Sequence, residues 1–448
     1  MPGVVYKKKG GRVFPPDWTE IGYNDTPIST LIGFDYAVDI KENWDTSIVT
    51  HTERYRDDKV LMYFPKNIDT SNIVTADRMF QASNLEYIDI DLSNARTATA
   101  VFTDCTNLRG AIVHGLGNPE ASSVLNNIAN MFSNCRSLVD IDLNLTEYST
   151  ILSAVNLCTD CWKLKEFIYD GTTENIARIS SLYNAFTNCY KLEKLTIKDT
   201  LPEWIGCYAA GSQTDEGCIF NIDIGSTASN GAQASFSKAK IYAVSDYPDK
   251  VSHISIHNIS NAQSIFDEAL FMNPEDTAYG YGGIDLTDHT NAINFSYAFR
   301  KVKCYANTFS AKCGKVLNAN GMFDTFSFED PARTKEISLK SSNNIVTDFS
   351  TCSNMQLAFA NTNIKRINGL AEQDFGLVTN FTNMFQNSLD LDDNTLNDLL
   401  LALTTATTYA GTKTLATLGF TDSTVYPASR WQALSNYTAF TTAGWSIS

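Results

Sequence analysis

The chain has 448 residues, 43% of them apolar and 19% charged, and carries a net charge of −16. That apolar content can bury a core and excludes a disordered chain. The excess of 50 Asp and Glu over 34 Lys and Arg argues against duplex nucleic acid as a partner, because phosphates are held by positive surface.

Residues 1–50 differ in composition from the rest of the chain. Lys7, Lys8, Lys9 and Arg12 place four positive charges in twelve residues of an acidic chain. No apolar run comes after them, so the opening is not patterned as a secretory signal peptide. Nor does any stretch approach the ~18 uninterrupted apolar residues of a membrane helix. The expectation is a protein made in a cytoplasm, with no membrane insertion. Pro15-Pro16 favours an extended, preformed segment. With Tyr6, Phe14 and Trp18 as aromatic anchors, this segment reads as an arm that docks on another molecule, or as a cap packed on the first repeat.

From residue 51 the chain repeats itself. Val101-Phe102-Thr103-Asp104-Cys105-Thr106-Asn107-Leu108 aligns without gaps on Met131-Phe132-Ser133-Asn134-Cys135-Arg136-Ser137-Leu138. It also aligns on Leu157-Cys158-Thr159-Asp160-Cys161-Trp162-Lys163-Leu164 and on Ala185-Phe186-Thr187-Asn188-Cys189-Tyr190-Lys191-Leu192. A copy one residue shorter begins at Met79-Phe80. From Phe102 the anchors fall at 132, 158 and 186, steps of 30, 26 and 28 residues. After the leucine, apolar residues at plus three and plus five form a period-two pair, as in Leu192, Leu195 and Ile197, which suits a short strand. The Met-Phe pair and the apolar residue before it are spaced for one or two helical turns, or a turn, on the opposite wall. Such a unit cannot bury its own apolar face, so the copies stack into a solenoid with a parallel ladder. Phe80, Phe102, Cys105, Phe132, Cys135, Cys161, Phe186 and Cys189 are the structural anchors, and the four cysteines are expected to form a buried column of thiols.

Between 198 and 330 the repeat degrades. Trp204, Cys207 and Cys218 sit in what read as long insertions, although Ala298-Phe299 and Met322-Phe323 keep the anchor pair. Gly280-Tyr281-Gly282-Gly283 lacks the Lys-Ser/Thr of a phosphate loop and reads as a surface loop, with Tyr279 and Tyr281 available for contacts. Ala358-Phe359 and Met384-Phe385 resume the pattern. At 391–448, Asp392 can N-cap a helix through Leu403, with Leu396, Leu399, Leu400 and Leu403 on one face. Pro427 opens a second helix carrying Trp431, Leu434, Tyr437 and Phe440, and Gly444 ends it.

Chemistry-bearing patterns are few. Cys158-x-x-Cys161 invites a zinc or redox reading, but a zinc site needs four N or S ligands and no second pair or nearby histidine supplies them. Cys207 with Cys218 and Cys304 with Cys313 could pair under oxidation, yet reduced thiols are expected. The five histidines, His51, His114, His253, His257 and His289, have no nucleophilic Ser or Cys context near them. Acidic pairs such as Asp57-Asp58 and Asp392-Asp393 suit solvated surface or helix caps. The expectation is no catalytic residue, no cofactor and no metal.

The Met-Phe-x-x-Cys-x-x-Leu-x-x-Ile-x-Leu units resemble the BspA-like leucine-rich-repeat family, well over about 60–200 and fairly over 335–390. Pro15-Pro16-Asp17-Trp18 with Ile21-Gly22-Tyr23, and the ending Ala443-Gly444-Trp445, resemble the two ends of repeat proteins carried in virions by bacteriophages of gut bacteria. The resemblance implies an α/β repeat fold: a leucine-rich-repeat-like solenoid over 51–390, capped by 1–50 and 391–448. It implies a non-enzymatic virion protein, a tail or head fibre component assembled in the host bacterial cytoplasm. Its partners would be tail, portal or capsid proteins through the first 50 residues, a host-surface glycan or protein, and, in a homo-oligomer, further copies of itself. A bacterial cell-surface adhesin and a glycan-degrading enzyme are the alternatives.

Overall fold

The computed structural model describes residues 40, 43–64, 68–116, 127–143, 145, 151–172, 178–199, 205–215, 217–225, 232–242, 252–272, 281–287, 289, 291–332, 334–341 and 344–447. The chain divides into two compact units, Met1–Gly211 and Ser212–Ser448. Each winds into a parallel β-solenoid with little helix.

In the first unit the strands Tyr87–Asp91, Gly110–His114 and Asp140–Leu143 pair in parallel, with Ile88 beside Ala111 beside Ile141. Glu166–Asp170 pairs in parallel with Lys194–Asp199. In the second unit one sheet runs through Arg366–Asn368, Glu336–Ser338, Thr308–Lys312, Tyr281–Asp285, His253–His257 and Ile219–Gly225. Another runs through Ser327–Phe328, Lys303–Cys304, Leu270–Met272 and Lys240–Tyr242. Alternate residues point inward, as in Ile254 and Ile256 against exposed His253.

The corners at the Phe anchors are turns and not helices, which corrects the helical reading. The reason lies in where the N–H groups go. Ala100, Phe102 and Asp104 donate to the carbonyls of Ala129, Met131 and Ser133 on the next coil, each at 2.9 Å. The residues between them stay local: Thr103 donates to Ala100 at 3.2 Å and Cys105 to Phe102 at 3.1 Å. A helix would spend every N–H on its own carbonyls. Here half are spent on stacking, so the corner continues the ladder. Two left-handed residues four apart turn the chain at each corner: Ala100 and Asp104 (φ 58° and 64°), Asn130 and Asn134 (57° and 61°), Asn156 and Asp160 (53° and 61°). Asn and Asp recur there because their short polar side chains tolerate this backbone best after glycine.

Inside the corners the anchor rings stack on one another. Tyr55, Phe80, Phe102 and Phe132 form one column, with centroids 5.4, 5.6 and 5.3 Å apart. In the second unit Phe236, Phe266, Phe299, Phe323, Phe359, Phe385 and Phe420 form another, every neighbouring pair stacked at 5.2–5.6 Å. That column passes through the stretch where the sequence repeat was faint.

Five corners of the second unit, those of Phe266, Phe299, Phe323, Phe359 and Phe385, are each opened by an asparagine five residues before the ring. Asn261, Asn294, Asn318, Asn354 and Asn380 are bridged in parallel from coil to coil. Their Oδ1 atoms accept from the backbone N–H groups of Gln263, Ser296, Asn320, Gln356 and Thr382, each at 3.0 Å. This is a stack of Asx turns, one per coil.

Near the C-terminal end stand three helices, α1 (Asp393–Leu403) before the corner of Phe420, and α2 (Ala428–Gln432) and α3 (Tyr437–Thr442) after it. Asp392 caps α1 by accepting from Thr395 N–H at 2.7 Å, and Leu396, Leu399, Leu400 and Leu403 are buried. The single helix expected after Pro427 is two. Asn397 on α1 is the cause: its Oδ1 accepts from Ser435 Oγ (3.0 Å) and Asn436 N–H (2.9 Å), drawing out the residues between α2 and α3. Gly444 ends α3 at φ 86°, and Trp445 is buried.

Candidate functional site

The expected virion-anchor residues Tyr6, Lys7, Lys8, Lys9, Arg12, Phe14 and Trp18 lie outside the described residues, as does Tyr279. Tyr281 begins the strand Tyr281–Asp285. The structural anchors stand fully buried: Phe80, Phe102, Phe132 and Phe186 in the corners, with Cys105, Cys135, Cys161 and Cys189 three residues after the ring position.

Those cysteines make a column of S–H bonds. Cys105 donates to the carbonyl of Phe80 (2.9 Å), Cys135 to Phe102 (3.0 Å), Cys161 to Phe132 (3.1 Å) and Cys189 to Cys158 (3.2 Å), each on the preceding coil. Ser388 does the same in the second unit, its Oγ donating to Phe359 O at 2.5 Å. All ten cysteines are buried thiols. Burial pushes the Cys105 and Cys313 thiols up to about 12 and Cys352 to about 11. A thiol held protonated is neither a nucleophile nor a ligand. Among the described residues no three His, Cys, Asp or Glu side chains gather as a metal site.

Some outward strand residues form a polar row. Asp223, Ser255, Asp285 and Lys312 are lateral neighbours on four successive strands of the second unit. His257 bonds Asp223 at 2.6 Å, and Lys312 bonds Asp285 at 3.4 Å. In the first unit His114 bonds Asp89 at 2.8 Å, and this bond to the carboxylate holds the imidazole above its ordinary value. Arg136 lies over the Trp162 ring at 4.3 Å and Tyr190 lies 6.2 Å away on the next coil, with Trp162 38% exposed. Asp199 is buried there: it pairs with Arg178 and accepts from Tyr169 Oη at 2.8 Å, while Ile179 N–H donates to the same hydroxyl at 2.9 Å. These groups answer one another and fix the strand ends.

A groove of about 440 Å³ crosses three successive coils of the second unit. It is lined by Lys301 and Lys303, then Thr325 and Ser327, then Asn361 and Asn363 with Thr362. These are the positions two and four residues after the stacked rings Phe299, Phe323 and Phe359. Lys303 is the parallel partner of Ser327. Lys301, Thr325 and Asn361 are the left-handed corner residues, at φ 55°, 59° and 55°. Lys301 bonds Glu268 at 3.0 Å, and that bond lowers the Glu268 carboxyl below its ordinary value. Lys303 is only loosely held, 3.8 Å from Glu329. Asn361 donates to Asp324 at 2.8 Å, and Asn363 Oδ1 accepts from Phe328 N–H at 2.8 Å. Sequence reading passed over these residues. Phe-x-Lys-x-Lys at 299–303 and Phe-x-Asn-Thr-Asn at 359–363 are visible, but their convergence depends on coils 24 and 36 residues apart falling into register.

Comparison with protein-family models, with curated proteins and with solved structures finds no match to this chain. The fold defines a parallel β-solenoid repeat protein.

Proposed function

We propose that this chain is a non-enzymatic structural and adhesive component of a bacteriophage virion, a tail or head fibre protein of the BspA-like leucine-rich-repeat kind. Residues 1–50 would attach it to tail, portal or capsid proteins, and 391–448 would close the exposed end of the array. The solenoid would present its outward rows to a glycan or protein on the host surface. The observation that carries the adhesive part is a division of labour between the inward and outward faces of the coils. The thiols and the Asp199 carboxylate are buried, while an outward row such as Asp223, Ser255, Asp285 and Lys312 sets polar side chains side by side from coil to coil. A repeated outward surface of this kind suits binding, and the cysteine thiols are buried away from it.

The test uses full-length protein and a truncation lacking residues 1–20. The truncation should fold and bind host cells saturably without glycan turnover, and should be absent from purified particles. Normal incorporation refutes the anchoring role; release of sugar from host polysaccharide refutes the non-enzymatic reading.

A further inference from the structure

We propose that the groove over the coils of Phe299, Phe323 and Phe359 binds saccharides that carry carboxylates. The inference rests on the adhesive reading and names the ligand class of one surface within it.

The lining contains no acid. Its two charges, Lys301 and Lys303, are both positive in a protein of net charge −16. The carboxylates border the lining: Glu268 and Glu329 face these lysines, Glu329 also accepts from Ser327 Oγ, and Asp324 accepts from Asn361 and from Thr325 Oγ1. Across the groove the groups run from ammonium to hydroxyl to amide, one pair per coil. Three coils span two strand spacings, ~10 Å, which admits a short oligosaccharide. A carboxylate at one end can take charge-assisted bonds from the lysines, while ring hydroxyls donate to the oxygens of Thr325 and Ser327, whose own protons go to Asp324 and Glu329, and to the second lone pair of the Asn361 and Asn363 Oδ1 atoms. Lys303 has the most to gain, because its present partner lies 3.8 Å away and its side chain is 60% exposed. The aliphatic stems of the two lysines offer apolar surface to the sugar ring. Beneath the groove, rings stacked at 5.2 and 5.3 Å fix the three corners, so the site is preorganised. The overall negative charge repels polyanions at long range, so binding depends on these short contacts and weakens with salt.

The experiment is calorimetric titration of the full chain with oligogalacturonate, with a malto-oligosaccharide of equal length as the neutral control. Lys303→Gln and the double variant Lys301→Gln/Lys303→Gln are compared after circular dichroism confirms folding. Oligogalacturonate should bind, weaken between low and high salt, and lose about ten-fold in affinity with Lys303→Gln, more with the double variant. Equal binding of the neutral sugar, undiminished affinity in the double variant, or no binding of oligogalacturonate by the wild-type chain overturns the site. Host-cell binding separates the two claims. If the double variant binds cells as the wild type does while oligogalacturonate fails, the adhesive reading stands and the site falls. If oligogalacturonate binds as stated but neither form binds cells, the site stands and the adhesive reading falls.

Discussion

Replacing Phe299 by alanine tests the stacked-ring core directly. The ring is fully buried and meets three others: Phe266 at 5.6 Å, Phe323 at 5.2 Å and, edge-on, Phe309 at 5.3 Å. Truncating a buried Phe costs ~3–5 kcal/mol, and the upper part of that range applies where neighbours cannot collapse into the space. Here they cannot readily do so, because Phe266 and Phe323 are themselves stacked on Phe236 and Phe359. Loss of the aromatic geometry adds to the loss of volume, at ~0.5–1.5 kcal/mol per pair. Phe299→Leu keeps most of the volume and loses only the ring contacts, so it should cost about a third as much. Coils couple chiefly to their neighbours, so the alanine variant should also lower the cooperativity of unfolding in the second unit. Urea unfolding followed by the fluorescence of Trp431 and Trp445, beside circular dichroism, measures both effects. A loss below about 1.5 kcal/mol for Phe299→Ala, or equal losses for Ala and Leu, refutes a core carried by ring stacking.

Other expectations concern single groups. The buried thiols should resist a disulfide reagent near about pH 8 in the folded protein, and all ten should react once it is unfolded; rapid native reaction of Cys105 or Cys313 would contradict their burial. His51 accepts from Arg54 at Nδ1 (2.9 Å) and donates from Nε2 to Ile48 O (2.8 Å), and burial holds it below its ordinary value of 6.5. The folded state then binds fewer protons than the unfolded one, so this contribution is present above 6.5 and is lost as pH falls through the folded value. His114 has the opposite sign: raised by its bond to Asp89, it contributes below 6.5 and the contribution is lost as pH rises through the raised value, a small effect at a half-exposed pair. Imidazole NMR titration should show His114 charging at higher pH than His51; the reverse order refutes both assignments. Leu357 occupies a left-handed corner position at φ 57°, where Asn383 serves on the next coil. Leu357→Asn should stabilise by up to ~1 kcal/mol in urea unfolding, and a loss would show that the side chain packs for more than its backbone costs.

How much of this was legible depended on whether the signal lay within one repeat. Phe102, Phe132, Phe186 and the cysteines after them recur at nearly constant spacing, so a buried column could be read from the chain. Asp392 and the leucines of α1 were legible because a cap and a 3.6-residue period are local. The helical reading of the corners failed because an apolar pair followed by Ser or Thr and Asn or Asp fits a helix end and a left-handed turn equally well. Only the destination of Phe102 N–H, the next coil's Met131 carbonyl, separates them. The ring column through Phe236 and Phe266 was obscured because the residues around it vary, while the asparagine that opens five of the corners carries a signal that needs several coils aligned to stand out.

The amino-acid sequence alone determined that a repeating apolar unit must stack to bury its face, and which ring and thiol of each unit turn inward. The tertiary structure decided that the corners hydrogen-bond across coils, and that Lys301, Ser327 and Asn363 share a groove. Both depend on register between coils, and register is set where backbone ladders and stacked rings meet in space, at separations no local pattern encodes.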